Sequence, residues 1–142
     1  KTRLGTLDAA KIAAMEPTAF EAVCKEKPAI HRFTGSMAKR IQALCCVVAD
    51  DYNNNAAKLW KGVQDPAELK ARLDALPGYG DEKAKILYAI LGKRLNRAPQ
   101  GWEPFAKPFA DATPRSVADI DSPETLARVR AWKKAQKAKA RA

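Results

Sequence analysis

Leu76-Pro77-Gly78-Tyr79-Gly80 separates two stretches of helical periodicity. Before it, Asp65-Pro66 joins a capping side chain to a proline at the first helical position, which favours a helix start. The second stretch begins at Asp81 and is apolar on two faces, which is typical of a buried helix. The sequence therefore predicts a helical hairpin over residues 66–91. Three positions of the first helix are expected to point inward: Leu69, Leu73 and Leu76. The second helix carries one face of Ala84, Leu87, Tyr88 and Leu91 and another of Ile86 and Ile90.

The residues of the hairpin turn are suited to binding an anion. Gly78 and Gly80 permit positive dihedrals and the close approach of another backbone, while Tyr79 can pack back against the helices. The N–H groups around Gly78, Gly80 and Asp81 lie at a helix N-terminus, which suits a phosphate oxygen. Lys83 and Lys85 add positive charge nearby. Without further context, the same residues are also typical of a tight turn between antiparallel helices.

Composition favours one helical domain with a polyanionic partner. The 142 residues are rich in Ala, Leu, Lys and Arg and poor in β-branched runs, so we expect an all-α fold. Twenty-six basic residues against 16 acidic ones give a formal charge of +10. This excess attracts nucleic acid, and it would also attract an anionic membrane surface or an acidic protein.

The rest of the chain predicts further helices. We expect short helices over residues 7–15, 17–25 and 56–61, and a longer one from Ser36, its cap, to Asp51. A Pro-rich segment after residue 95 cannot be one helix, and Ser122-Pro123 starts the last helix, which leads into a frayed basic tail. The expected organisation is a helical region over residues 1–95 and, over 96–142, a Pro-rich loop and basic helix packed on the same domain. The apolar stripe of the longer helix is Met37, Ile41, Leu44, Cys45 and Val48.

The sequence predicts no cofactor. Cys24, Cys45 and Cys46 match neither a disulfide framework nor zinc-site spacing, and three cysteines are too few for an iron–sulfur cluster. We expect reduced, buried thiols and no metal held by side chains. The absence of a leader and of a long apolar run predicts a cytoplasmic, nucleoid-associated protein without membrane contact.

The hairpin sequence Leu76-Pro77-Gly78-Tyr79-Gly80-Asp81-Glu82-Lys83-Ala84 resembles that of the helix-hairpin-helix DNA glycosylase superfamily, which includes endonuclease III and the adenine glycosylases. Gly35-Ser36-Met37-Ala38-Lys39-Arg40-Ile41 is similar to the family segment that opens the preceding helix. The resemblance covers about residues 7–95, and the whole chain looks like the small actinobacterial base-excision-repair proteins of this superfamily.

The resemblance implies an all-helical, two-lobed body that binds double-stranded DNA at the hairpin. It also implies a monovalent cation, Na⁺ or K⁺, at the hairpin carbonyls of Leu76 and Tyr79. The expected DNA contacts are Leu76, Gly78, Tyr79, Gly80, Asp81, Lys83 and Lys85.

The resemblance also implies a catalytic carboxylate that this sequence lacks at the matching position. That position falls at Gln100-Gly101, and Glu82 stands where the bifunctional members carry a nucleophilic lysine. Lys83 is one residue out of register, about 100° away around the helix, so no lyase activity is expected. Base release by a monofunctional route needs Glu103 or Glu82 as a substitute. Glu103 is also interpretable as a solvent-facing acid beside Pro104; the weaker candidates are Asp111, Asp119 and Asp121.

The family's N-terminal helices and its wedge loop have no match here, so we expect either a fragment or a protein without the wedge. In a fragment, a missing N-terminal segment or a second chain would complete the core. Trp102, in the Pro-rich segment, is the candidate for base stacking, whereas His31, Trp60 and Trp132 are interpreted as packing or capping residues.

Three functions stay open at this point. The first is a monofunctional DNA glycosylase acting in base-excision repair. The second is a non-catalytic DNA-binding protein that retains the phosphate grip but lacks the catalytic Asp. The third is a scaffold that binds RNA or another protein through the hairpin.

Overall fold

The structure is a computed structural model that describes residues 2–141. It contains helices and no strand within these residues, which confirms the predicted all-α class. The α-helices are α1 (Ala9–Ala13), α2 (Pro17–Lys25), α3 (Thr34–Asp51), α4 (Pro66–Asp74), α5 (Asp81–Ala89) and α6 (Pro123–Arg141). Short 3₁₀ helices occupy Ala56–Leu59, Glu103–Ala106 and Val117–Asp119, and α5 continues as a π-helix over Ile90–Arg94.

The chain forms two compact units. Among the described residues, the first comprises 2–59 together with Leu76–Gly78, and the second comprises Trp60–Ala75 and 79–141. The segment boundary expected near residue 95 stays a prediction.

The first unit is built on α3, against which α1 and α2 pack. Each short helix is capped by an acidic side chain: Asp8 accepts the Lys11 N–H, and Glu16 accepts the N–H groups at the start of α2. The Gln42 amide of α3 donates to the carbonyl of Met15, which fixes the chain between α1 and α2. The buried residues common to the three helices are Ile12, Phe20, Cys24 and Ala38.

A loop of three asparagines, Asn53 to Asn55, follows α3. Asn53 and Asn54 adopt positive φ angles of 53° and 56°, a conformation that asparagine tolerates better than most residues. The Asn54 side chain then returns to α1, where it accepts the Ala10 N–H and donates to the Asp8 carboxylate. These contacts join the loop after α3 to the start of α1.

Two details of α3 differ from the prediction. The helix begins at Thr34 rather than after Ser36, because the Thr34 hydroxyl donates to the carbonyl of His31 and closes a turn ahead of the helix. His31 Nδ1 accepts the Phe33 N–H in the same turn. Cys46 is exposed, so only Cys24 of the three free thiols is fully buried.

The second unit begins with α4 and α5. Asp65 caps α4 by accepting the Ala67 N–H, as predicted, and Leu69 and Leu73 are fully buried. Tyr88 of α5 is also fully buried and donates its hydroxyl to the carbonyl of Pro66, 2.9 Å away. Burial raises the pKa of Tyr88 to about 12, so the hydroxyl stays a donor at neutral pH.

The π-helical end of α5 lies where an aromatic ring meets its backbone. The six-membered ring of Trp102 lies so close to Gly92 that no β-carbon would fit there, and the Trp102 and Tyr88 rings are 5.9 Å apart. The widened turn and the glycine together leave room for the indole.

The last helix extends further than expected. It starts at Pro123, buries Val129 and continues in helical form to Arg141, so the prediction of a frayed tail was wrong within the described residues. No helix of residues 2–141 has both the length and the apolar character that spanning a bilayer requires.

Candidate nucleic-acid interface

The hairpin turn has one left-handed glycine, not two. Gly78 is exposed with φ +76°, a conformation that favours glycine. Gly80 is exposed as well, but its φ of −80° and ψ of 175° are open to any residue. Both glycines permit positive dihedrals, but only Gly78 uses one. Leu76 is buried and Tyr79 half-buried, so the turn is anchored by its apolar residues.

Arg40 is a charged neighbour of the turn that sequence reasoning missed. A β-carbon added to Gly78 would lie 3.4 Å from Cδ of Arg40 and 3.5 Å from its Cβ and Cγ. The aliphatic stem of Arg40 therefore packs on the glycine, and the residue is exposed on α3. Within residues 2–141 its guanidinium has no ion-pair partner. The only sequence signal was its place in the segment Gly35–Ile41.

Gly80 is the N-cap of α5 and leaves the start of that helix open. Its carbonyl accepts the Ala84 N–H at 3.0 Å, while a β-carbon at Gly80 would meet no atom within 4 Å. No side chain caps α5. The N–H groups of Asp81 and Glu82 precede the first helical hydrogen bonds, so they face outward from the helix start, where the helix dipole is positive.

Two lysines compensate Asp81, one of the two acidic residues in the first turn of α5. Lys85 lies 2.6 Å from one Asp81 carboxylate oxygen, and Lys70 lies 3.2 Å from the other. The hydrogen bonds from Lys85 and Lys70 hold the pKa of Asp81 below its usual range. Burial opposes the charge of Lys70, but its hydrogen bonds to Asp74 and Asp81 raise its pKa overall. Lys85 is therefore engaged with Asp81. Lys83 is an exposed residue on the first turn of α5.

Glu82 borders a pocket of about 310 Å³ in the second unit. Apolar side chains form most of its wall, and two cations, Arg115 and Lys133, lie at its edge. The Arg115 guanidinium carbon stands 5.3 Å from the centre of the Trp132 ring. Its Nε is buried and has no hydrogen-bond partner within the described part of the chain. The apolar wall includes Ile86, Phe109 and Trp132.

Glu103, the other candidate carboxylate, borders a different cavity. It is exposed at the start of a 3₁₀ helix, beside a cavity of about 340 Å³ that Lys107 and Asp111 also line. The two candidate carboxylates are thus not brought to one pocket. Gln100 is exposed, and Gly101 adopts φ +81° in the loop before Glu103.

The remaining expectations concern stacking and cations. Trp102 is half-buried, with one side of its indole on Gly92, so base stacking by this residue stays a prediction. No cluster of three or more His, Cys, Asp or Glu side chains in residues 2–141 is arranged to hold a metal ion. The monovalent cation expected at the carbonyls of Leu76 and Tyr79 also stays a prediction.

Comparisons with protein-family models, with curated proteins and with solved structures give no match to this chain. The resemblance to the glycosylase superfamily therefore rests on the residues of the hairpin and of the segment before it.

Proposed function

We propose that this chain binds the phosphate backbone of duplex DNA through the hairpin between α4 and α5, in the manner of a helix-hairpin-helix. The observation that carries the proposal is the uncapped start of α5, where Gly80 has open space in place of a side chain. A phosphate oxygen seated there accepts N–H groups that have no helical acceptor and meets the positive end of the helix dipole.

The surrounding charges support an anionic ligand. Asp81 would repel a phosphate, but Lys70 and Lys85 offset its charge. Within the first unit, the exposed residue Arg40 packs its aliphatic stem on Gly78, and the net charge of +10 favours the approach of a polyanion. These groups would contact phosphates rather than base edges, so the proposed binding has little sequence preference.

Substituting Gly80 by serine tests this proposal sharply. The residue already has N-cap dihedrals, so a serine hydroxyl would cap α5 by accepting an N–H of its first turn. That internal cap competes with the phosphate for the same donors. We expect Gly80→Ser to keep or raise the stability of the protein and to weaken binding to a fluorescent duplex by about tenfold or more in moderate salt.

Three outcomes of that titration are informative. If Gly80→Ser binds the duplex more weakly while its stability is not reduced, phosphate binding at the hairpin is supported. Unchanged affinity contradicts it. Retained binding to RNA with no binding to duplex DNA would favour the RNA-scaffold alternative instead.

A second proposed function is release of a damaged base, with Glu82 as the carboxylate that stabilises the cationic sugar. The observation that favours Glu82 over Glu103 is its position at the border of the apolar pocket, one residue into α5 from the proposed phosphate site. An extruded nucleotide needs a phosphate grip, an apolar receptor for its base and a negative charge near the sugar.

Base release is tested on duplexes that each carry one lesion, such as uracil, hypoxanthine, 8-oxoguanine or an alkylated purine. We expect release that disappears in Glu82→Gln and persists in Glu103→Gln, which serves as the matched control. Duplex binding without release from any substrate would contradict the enzymatic proposal and leave a DNA-binding module.

A further inference from the structure

The last helix carries an uninterrupted series of positive charges. From Arg128 to Arg141 the sequence contains seven cations and no acidic residue. Five of these recur at intervals of i, i+3, i+4, i+7 and i+11, which places them within an arc of about 100° on a helix of 3.6 residues per turn. We call this the α6 stripe: Arg130, Lys133, Lys134, Lys137 and Arg141.

The α6 stripe points away from the packed face of the helix. Val129 is buried and Trp132 half-buried, and their directions centre roughly 120° from the middle of the stripe. All five stripe residues are exposed, and every residue from Lys133 to Arg141 is exposed as well. The final turns of α6 therefore present their charges to solvent without protein cover in the described chain.

The arrangement is unfavourable for an isolated helix. Like charges meet at i, i+4 in the pairs Arg130 with Lys134, Lys133 with Lys137, and Lys137 with Arg141, and each such pair destabilises an isolated helix. No acid of α6 beyond Glu124 offsets them. Alanines and the negative end of the helix dipole favour the helix, and an anionic ligand along the stripe would remove the repulsion.

We infer that the α6 stripe is a second binding surface for the phosphate backbone of duplex DNA, separate from the hairpin. The stripe spans about 16 Å along the helix axis, while phosphates along one strand of DNA recur about every 3.4 Å of duplex axis. Its side chains are all donors without an acceptor. The stripe therefore neutralises several phosphates and carries little sequence preference.

A lipid surface fits the same helix less well. A helix that lies in a membrane interface carries large apolar side chains opposite its basic face. Opposite the α6 stripe lie two further cations, Arg128 and Lys139, with alanines and the half-buried Trp132. This charge on both sides favours a phosphate backbone over insertion among acyl chains.

Two double variants with the same loss of charge test the inference. Arg130→Gln/Lys137→Gln removes one Arg and one Lys from the stripe, and Arg128→Gln/Lys139→Gln removes one of each from the opposite side. Affinity for a fluorescent duplex is measured over a range of salt. We expect the stripe variant to bind about tenfold or more weakly in moderate salt, with a salt slope smaller by about 2, because two phosphate contacts are lost. The control should change much less.

Equal effects in the two double variants would overturn the inference, because net charge alone would then explain them, and so would no effect in either. Stronger binding of the protein to anionic vesicles than to duplex DNA would also overturn it. Circular dichroism of each variant verifies that the helix is kept.

The choice of duplex DNA as ligand rests on the proposed function, and Gly80→Ser separates the two proposals. If Gly80→Ser weakens duplex binding and the stripe variant does not, the hairpin proposal is supported and the α6 stripe proposal is contradicted. If only the stripe variant weakens duplex binding, the α6 stripe proposal is supported and the hairpin proposal is contradicted.

Discussion

The aliphatic stem of Arg40 lies against Gly78, so that a β-carbon on the glycine would sit 3.4 Å from Cδ of the arginine. Gly78 also has a φ of +76°, a region that L side chains rarely adopt. One residue thus combines a backbone requirement for glycine with a close contact to an exposed cation.

Gly78→Ala should lower both stability and DNA affinity. The positive φ costs an alanine about 1 kcal/mol in the free energy of unfolding, measured by urea titration. The added methyl group would meet the Arg40 stem at ordinary van der Waals distance, so the strained turn, and not a clash, should weaken duplex binding several-fold. Gly62→Ala is the matched control, since Gly62 has φ +80° and a β-carbon there would meet no atom within 4 Å. If Gly62→Ala weakens binding equally, the effect is one of stability alone.

Arg40→Gln should weaken duplex binding without a measurable loss of stability. The Arg40 side chain is exposed, so its charge is available to a phosphate, and losing one phosphate contact should reduce the salt slope by about 0.9. Lys39→Gln removes an exposed charge from the adjacent position of α3, about 100° around the helix. Identical salt slopes for the two variants would show that Arg40 makes no specific contact.

The start of a helix could be predicted where residues close to it in sequence determine it. Asp65-Pro66 starts α4 because its carboxylate and its fixed dihedral act within one turn, and the structure has the predicted hydrogen bond to Ala67. The start of α3 could not be predicted in the same way. Thr34 and His31 form a turn through a hydroxyl-to-carbonyl bond, whereas Ser36 had the better capping propensity.

The candidate site was predictable in part for a related reason. The turn at Gly78 follows from residue type, because a glycine after proline is typical of a left-handed position. The contact of Arg40 with that glycine joins residues far apart in sequence, so no local pattern encodes it. The pairing of Lys85 with Asp81 is an i, i+4 contact that was readable from the sequence, and it changes Lys85 from a free cation to an engaged one.

Asp81→Asn should tighten duplex binding. The substitution removes the charge of Asp81, leaving Glu82 as the acid of the first turn, and releases Lys85 and Lys70 from their ion pairs with Asp81. Binding should become several-fold tighter and its salt slope steeper, as measured by titration of a labelled duplex. Asp74→Asn is the control, because Asp74 contacts Lys70 from the end of α4 instead of standing at the first turn of α5. Weaker binding by Asp81→Asn would mean that the aspartate itself takes part in the contact.

Asp119→Asn should destabilise the protein in a manner that depends on pH. Burial of this carboxyl group opposes its ionisation. The hydrogen bond from Lys93 and those from the backbone N–H groups of Ser116 and Arg115 outweigh that effect and hold its pKa below the usual range. Because the folded-state pKa is the lower one, the stabilisation is complete above the unfolded-state pKa and is lost as pH falls through the folded-state value.

At neutral pH the free energy of unfolding of Asp119→Asn should therefore be lower by about 1.5–3 kcal/mol, the range for hydrogen bonds to a charged group. Urea titrations at neutral pH and in acid should show this difference shrinking in acid. Asp121→Asn is the control: its carboxylate is 53% exposed and contacts Arg94 and the Thr125 hydroxyl at the surface, so its loss should change stability less. The free energies of unfolding of Asp119→Asn and of the unmodified chain could instead differ by the same amount at both pH values. That result would show that packing of the side chain, and not its charge, supports the 3₁₀ helix Val117–Asp119.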